Sequence, residues 1–353
     1  MHPTRFMLAA TFCLLVAQAC LAQSVILDLP RPSQHATVIQ RVGITDVTVN
    51  YHRPLAGNRK IWGSLVPYGQ VWRAGANENT TITFSDPVTI EGKPLDKGTY
   101  GLHMIPGQDD WTIIFSKNST AWGSFTYNEK EDALRVNVKP QPSDMHDALT
   151  YDFDNLTANS AVVTLRWEKV AVPFKVGVDV NQIVAQGLPN QLRGLSQYTW
   201  FAWDDAATYL VDNKGDLQQA LNYEDRSIQN EERFENLLTK SRILDQLGRK
   251  DDAKVTRDKA LAMASAIQLH GYGRQLQAQN KPEEAYAIFR TNAQKHPDSW
   301  IVHVGMSRVY SGQGNFDNAV KEMKTALAGA PDQQKQALEG LIARLQSKQD
   351  INP

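Results

Sequence analysis

The chain has 353 residues, 42% of them hydrophobic and 21% charged, with Lys+Arg 37 against Asp+Glu 38 and a net charge of −1. The composition is that of a globular protein, and the length suits two domains of ordinary size. The balance of charge excludes a general electrostatic pull toward nucleic acid or an anionic membrane surface.

His2 and Arg5, the apolar run Phe6 to Val16 and the small residues from Ala19 to Ala22 have the layout of a secretory signal peptide over residues 1–22. The apolar run is too short to stay in a bilayer as a permanent anchor. The expectation is an exported chain, periplasmic or extracellular, with no integral membrane segment once the signal is removed. A lipoprotein anchored through Cys20 is the alternative, although Ala17 and Gln18 match the box expected before such a cysteine poorly. Both cysteines, Cys13 and Cys20, fall in this leader. A chain processed after Ala22 therefore has no disulfide, no thiolate zinc site and no cysteine nucleophile.

From about Val38 to Val178 apolar residues recur at every second position in short runs, as in Val47, Val49 and Tyr51 or Leu134, Val136 and Val138. Further strands are predicted at Thr81–Phe84, Val88–Ile90, Thr99–Ile105, Trp111–Phe115, Tyr151–Phe153 and Val162–Trp167. Breaks such as Glu91 to Pro94 and Pro106 to Asp110 separate them. The predicted domain, residues 23–176, is an antiparallel β-sandwich or barrel. Residues 177–199 read as a linker and residues 200–345 as helix. Ala285, Phe289 and Pro297 recur 34 positions later as Ala319, Met323 and Pro331, with weaker copies at Gly215 and Ala220 and at Gly248 and Ala253. That period marks four tetratricopeptide-type helix-turn-helix units, the first two degenerate. A stacked array of this kind presents a groove that suits a protein or peptide partner.

One connection stands apart. Tyr51 to Phe84 holds two tryptophans and several arginines between two strands, far more than closing a turn requires. The motifs Tyr51-His52-Arg53-Pro54, Gly57-Asn58-Arg59-Lys60-Ile61-Trp62-Gly63, Val71-Trp72-Arg73-Ala74-Gly75-Ala76-Asn77-Glu78, Gly98-Thr99-Tyr100, Trp122-Gly123 and Tyr127 to Arg135 resemble those of the bacterial domain-of-unknown-function 2911 family, from roughly Arg31 to Val176. The resemblance implies an exported β-rich domain, followed in some members by tetratricopeptide repeats. The family carries no established activity, so it lends no catalytic residue.

The ligand-binding candidates are His52, Arg53, Arg59, Trp62, Trp72, Arg73, Asn77 and Glu78. Guanidinium groups grip carboxylate or phosphate in a two-pronged geometry, and indoles offer stacking faces. The bland alternatives are that Arg73 pairs with Glu78, that Arg53 braces the connection through backbone carbonyls, and that Trp111 and Trp167 are core. His35, His52 and His103 with Glu78 make a conceivable acid-base set if the fold gathers them. No cofactor or metal motif is present, nor a Gly-x-Ser-x-Gly elbow. The reading is an exported binding adaptor, with a small anionic or carbohydrate ligand on the β domain and a protein partner on the helices. The rivals are a hydrolase or lyase acting on cell-envelope carbohydrate, with Trp62 and Trp72 as sugar platforms and Glu78 as acid or base, and a sandwich that is only a spacer.

Overall fold

The computed structural model describes residues 30–352. The predicted signal peptide and both cysteines lie outside the described residues. Two compact units divide between Ile183 and Val184: an antiparallel β unit and a helical array.

The β unit has two antiparallel sheets. The larger runs, in spatial order, β1 (Gln34–Val42), β2 (Thr45–Arg53), β3 (Thr81–Phe84), β6 (Gly98–Ile105), β7 (Trp111–Ser116) and β8 (Asp132–Val138). The smaller runs β5 (Lys93–Leu95), β4 (Val88–Ile90), β10 (Ser160–Gly177) and β9 (Gln141–Asp154). Alternation in the sequence becomes alternation of burial, because successive side chains of a strand leave opposite faces. Val47 and Val49 of β2 are inaccessible to solvent, and they pair across to Phe84 and Ile82 of β3. The inner faces of the two sheets share a single core, in which the Phe115 ring of the first meets Phe174 of the second at 5.8 Å. Each such buried side chain contributes about 1.5–3 kcal/mol.

Three stretches depart from the predicted strands: β9 starts at Gln141, ten residues before the predicted Tyr151, and two others have a local cause. The predicted break at Glu91 to Pro94 is a tight turn, with Glu91 at φ 48° and Gly92 at φ 79°, and it folds Lys93–Leu95 back on β4 as a strand. Strand β10 runs through 18 residues instead of ending at Trp167. Its register slips on either side of Glu168, which has φ 55°. A bulge of this kind inserts an unpaired residue and destroys the period of two, which hid the second half of the strand.

The described residues contain ten α-helices. The first, α1 (Val180–Gln191), lies in the predicted linker. The remaining nine are α2 (Trp200–Asp212), α3 (Leu217–Asn230), α4 (Phe234–Gln246), α5 (Lys250–Met263), α6 (Ala266–Ala278), α7 (Pro282–Lys295), α8 (Trp300–Gly312), α9 (Phe316–Gly329) and α10 (Asp332–Gln346). Local signals set their starts: the Asp216 side chain accepts from the amides of Gln218 and Gln219 to cap α3, a reciprocal Ser265 and Gln268 box opens α6, and Pro282 begins α7. Ala220, Ala253, Ala285 and Ala319, one in the second helix of each pair, are all buried. Small residues at these points let helices approach closely; a Cβ added to Gly305 would stand 2.9 Å from the Phe289 ring. Among the described residues, no helix is long and apolar enough to cross a membrane.

Candidate functional site

Residues 54–80 join β2 to β3 and are stitched to both sheets. The Leu149 amide donates to the Pro54 carbonyl at 3.0 Å and the Ala56 amide to the Asp147 carbonyl at 2.6 Å, both on β9. Trp72 and Met104 exchange two amide-carbonyl bonds of 2.8 Å on the β6 side. Between these anchors Ala74 is fully buried at φ 52°, a left-handed conformation that costs an L-residue about 1–2 kcal/mol. The Tyr151 hydroxyl donates to the Ala74 carbonyl at 2.9 Å, which holds the turn from inside the core. Gly63 has φ 77°, and a Cβ there would stand 2.7 Å from the Tyr68 ring, so a larger residue would be strained and would displace that ring.

Two clefts flank this connection. The first, of about 620 Å³, gathers Arg31, His35, Asn50, His52, Glu78 and Asn79. Glu78 is its centre. One carboxylate oxygen accepts from Arg31, and the other lies 3.2 Å from His52 Nε2 without the alignment of a hydrogen bond. The His35 and His52 rings stand 5.2 Å apart. Asn77, at φ 58°, donates from its side chain to the Ser33 carbonyl at 3.2 Å, tying the connection to the segment before β1.

The second cleft, of about 550 Å³, has an aromatic floor. Trp72 and Trp167 lie nearly parallel with centroids 5.9 Å apart, and Arg59, Arg73, Leu55 and Leu65 complete the walls. Trp62 does not line this cleft: it packs edge-on against Trp72, Trp111 and Trp167, with its indole nitrogen buried and without a hydrogen-bond partner. Trp111 and Trp167 are core, as the strand pattern predicts, at 2% and 1% exposure.

Charge separates the two clefts. Burial holds His52 below the ordinary histidine range; Glu78 works against that shift, while His35, Arg31 and Arg73 add to it. The imidazole is therefore neutral at pH 7. For Glu78, desolvation acts upward but is outweighed by the Arg31 hydrogen bond and the nearby charges, so its carboxyl lies below the usual value and is ionised. Burial lowers Arg73, opposed by Glu78.

The expected pairing of Arg73 with Glu78 is not what forms. Arg31 takes the carboxylate, because it approaches from the segment before β1, and Arg73 Nε stays buried without a hydrogen-bond partner. Arg53 does not brace its own connection either. It reaches β9, donating to the Leu149 carbonyl at 3.0 Å and to Thr150 Oγ1 at 2.7 Å. Arg59 does brace it, through the carbonyls of Leu55 and Ala56. The three histidines are not gathered: His103 sits apart, with Nδ1 3.0 Å from Ser124 Oγ and its ring against Tyr127. Arg31 escaped the sequence reading because nothing in its neighbours, Pro30 and Pro32, marks it as reaching a residue 47 positions away. Among the described residues no cluster of His, Cys, Asp or Glu could hold a metal ion.

Residues 33–176 match the family described as "Protein of unknown function (DUF2911)", and residues 276–345 match a tetratricopeptide repeat family. The resemblance read from the sequence is thereby borne out. No curated protein matches. Solved structures that resemble the chain include YrrB, described as a tetratricopeptide protein with an unusual peptide-binding site (13% identity, 46% of this chain and 86% of that one, TM-score 0.26). MamA is similar at 16% identity, over 43% of this chain and 88% of that one, with a TM-score of 0.28. A tetratricopeptide repeat protein from Parabacteroides merdae ATCC 43184 is similar at 15% identity, over 46% of this chain and 69% of that one, with a TM-score of 0.28.

Proposed function

We propose that the protein is an exported binding adaptor that docks a protein segment on its helical repeats and a small organic anion on its β unit. Tetratricopeptide repeats support the first half: such arrays present grooves for protein segments. A groove of about 430 Å³ runs past Thr208 of α2, Leu238 and Arg242 of α4, and Tyr272 and Gln275 of α6, mixing apolar and charged anchors suited to a peptide. The signal-peptide layout of residues 1–22 supports export, with work in the periplasm or outside the cell.

The observation that carries the second half is Trp72, backed by the core Trp167 and beside Arg73 at the cleft. An apolar cleft with a few converging polar groups is the usual form of a small-molecule site, and Arg73, whose buried Nε has no hydrogen-bond partner, is part of its wall. The shape and charge suit a carboxylate with a flat or apolar body. Carbohydrate hydrolysis is less well served, because glycosidases generally need two carboxyl groups facing the scissile bond. Of the residues lining the two clefts, Glu78 alone is acidic, and it is engaged by Arg31.

Tryptophan fluorescence of the full chain, titrated with aromatic carboxylates and with oligosaccharides, tests this reading. Saturable quenching by a carboxylate, lost in Arg73→Ala and in Trp72→Ala, is expected. Quenching by neutral oligosaccharides alone, or turnover of a glycoside that disappears in Glu78→Gln, would overturn it.

A further inference from the structure

In four consecutive repeats the first helix ends on a left-handed residue, Lys214, Gly248, Asn280 or Gly314, and the second helix begins two or three positions later. The same device closes α10, at Lys348 with φ 56°. Among the described residues no second helix comes after it. Residues Asp350 to Asn352 instead cross back onto α8 and α6.

The contacts there are those of a bound peptide. Arg308 of α8 donates from Nη1 to the Ile351 carbonyl at 2.8 Å, and Arg344 of α10 donates to the Asp350 carbonyl at 2.7 Å. Ser311 donates to the Asp350 carboxylate at 2.5 Å and accepts from the Ile351 amide at 3.0 Å. Gln277 of α6 donates to the Asn352 side chain at 2.5 Å, which donates in turn to the Arg308 carbonyl at 3.0 Å. Ile351 is 4% exposed against the apolar cluster of the last helices. Backbone and side chain are both read, which is how extended peptides are recognised.

The charge beneath the segment is out of proportion to one carboxylate. Arg308 and Arg344 hold the segment's carbonyls, and Arg274 lies close enough to Arg308 to act on its charge: Arg308 is pushed down to about 10 by burial and by the two other guanidiniums, with Asp350 opposing. Arg308 Nε and His270 Nδ1 are buried there without hydrogen-bond partners. Burial together with Arg308 and Arg274 holds His270 down to about 4, so it adds no charge of its own at neutral pH. A structural cap needs burial of Ile351; it does not need three arginines. The surplus of donors fits an acidic ligand.

We infer that the arginine-lined face of α6, α8 and α10 is a second peptide site, selective for an extended segment with an acidic residue followed by an aliphatic one, and that Asp350 to Asn352 occupy it in cis until a partner segment of the same chemistry displaces them. This goes beyond the adaptor reading above, whose groove lies on α2, α4 and α6.

The test uses the full chain carrying Asp350→Ala and Ile351→Ala, with a fluorescent peptide of sequence Lys-Gln-Asp-Ile-Asn-Pro, residues 348–353, as probe. Fluorescence polarisation should show saturable binding at least tenfold tighter than to the unaltered chain, and adding Arg308→Ala should abolish it. Replacing the aspartate of the peptide by asparagine should weaken binding severalfold, and raising the salt concentration should do the same. A variant that keeps its cooperative melt but does not bind the peptide overturns the proposal. So does one that loses cooperative melting, because a segment the array needs in order to fold is a cap and not a displaceable occupant. Equal binding by the unaltered chain also sinks the idea of occupation in cis.

Discussion

At the scale of single residues, the candidate site depends on pairings made across long stretches of sequence. Glu78 raises the His52 imidazole and Arg31 lowers it. Glu78→Gln should therefore move the His52 titration down, and Arg31→Gln should move it up, as histidine carbon-13 shifts will read. Opposite signs from neighbouring substitutions distinguish a charge effect from general loosening. Tyr151 is a second such residue. Its hydroxyl is fully buried and is bonded to the carbonyl of strained Ala74. Tyr151→Phe leaves that carbonyl unsatisfied and should cost about 1–3 kcal/mol in chemical denaturation of the β unit. If the substitution were neutral, Ala74 would not depend on this anchor. His52, Trp72 and Arg73 were legible as candidates because their residue types are unusual in a connection between strands. The partners of Glu78 and Arg53 were not legible, since Arg31 reaches the first and Leu149 and Thr150 the second through the fold, and none carries a local mark.

Among elements, the first repeat has a charged interior, with Glu224 inaccessible to solvent. Asp204 on α2 faces Glu224 on α3; Asp205, Asp225 and Glu235 add negative charge, Thr239 contributes a hydroxyl, and Lys240 is tied to Asp225 at 2.6 Å. Burial first, then the neighbouring Asp204, pushes Glu224 up to about 9 from an ordinary 4.5, and Asp204 is raised as well. Between those limits the folded state binds a proton that the unfolded state has lost. The contribution of Glu224 to the stability of the helical unit should thus be greatest below pH 4.5, fall by up to about 1.4 kcal/mol per pH unit as pH rises toward 9, and level off above it. Urea titrations of the wild type and Glu224→Gln at pH 5 and pH 8 check this: the variant should lose most of the slope and be the more stable at pH 8. The left-handed closures give a prediction of their own. They fall at 214, 248, 280, 314 and 348, but only two of the five are glycine. Gly314→Ala should lose about 1–2 kcal/mol, whereas Lys214→Gly should gain up to about 1 kcal/mol by relieving strain. A search for glycine finds Gly215 in the first repeat, one position beyond the true closure.

Across the whole molecule, each unit has a core of its own. The β unit has one cluster that includes Trp167 and Phe174; the helical unit has several, with Phe289 fully buried in one of them. Calorimetry of the full chain should show two transitions. Phe289→Ala should lower only the helical one, by an amount equivalent to about 3–5 kcal/mol, and a shift of both together would argue against independent units. The division between Ile183 and Val184 falls within α1, a boundary that composition does not mark because the helix pattern continues across it.

The sequence alone determined the order of β unit and repeats, most strand positions and the repeat period, because burial on one face of a strand or helix imposes a regular spacing that survives in the order of residues. It also marked the connection between β2 and β3 as unusual by composition. Only the tertiary structure decided that Arg31 engages Glu78, that Trp62 lies within a tryptophan cluster, that β10 continues past its bulge, and that the residues after α10 return to Arg308. Each of these is a contact between chemically ordinary residues distant in the chain. Such contacts depend on where the backbone brings side chains together, and no periodicity records them.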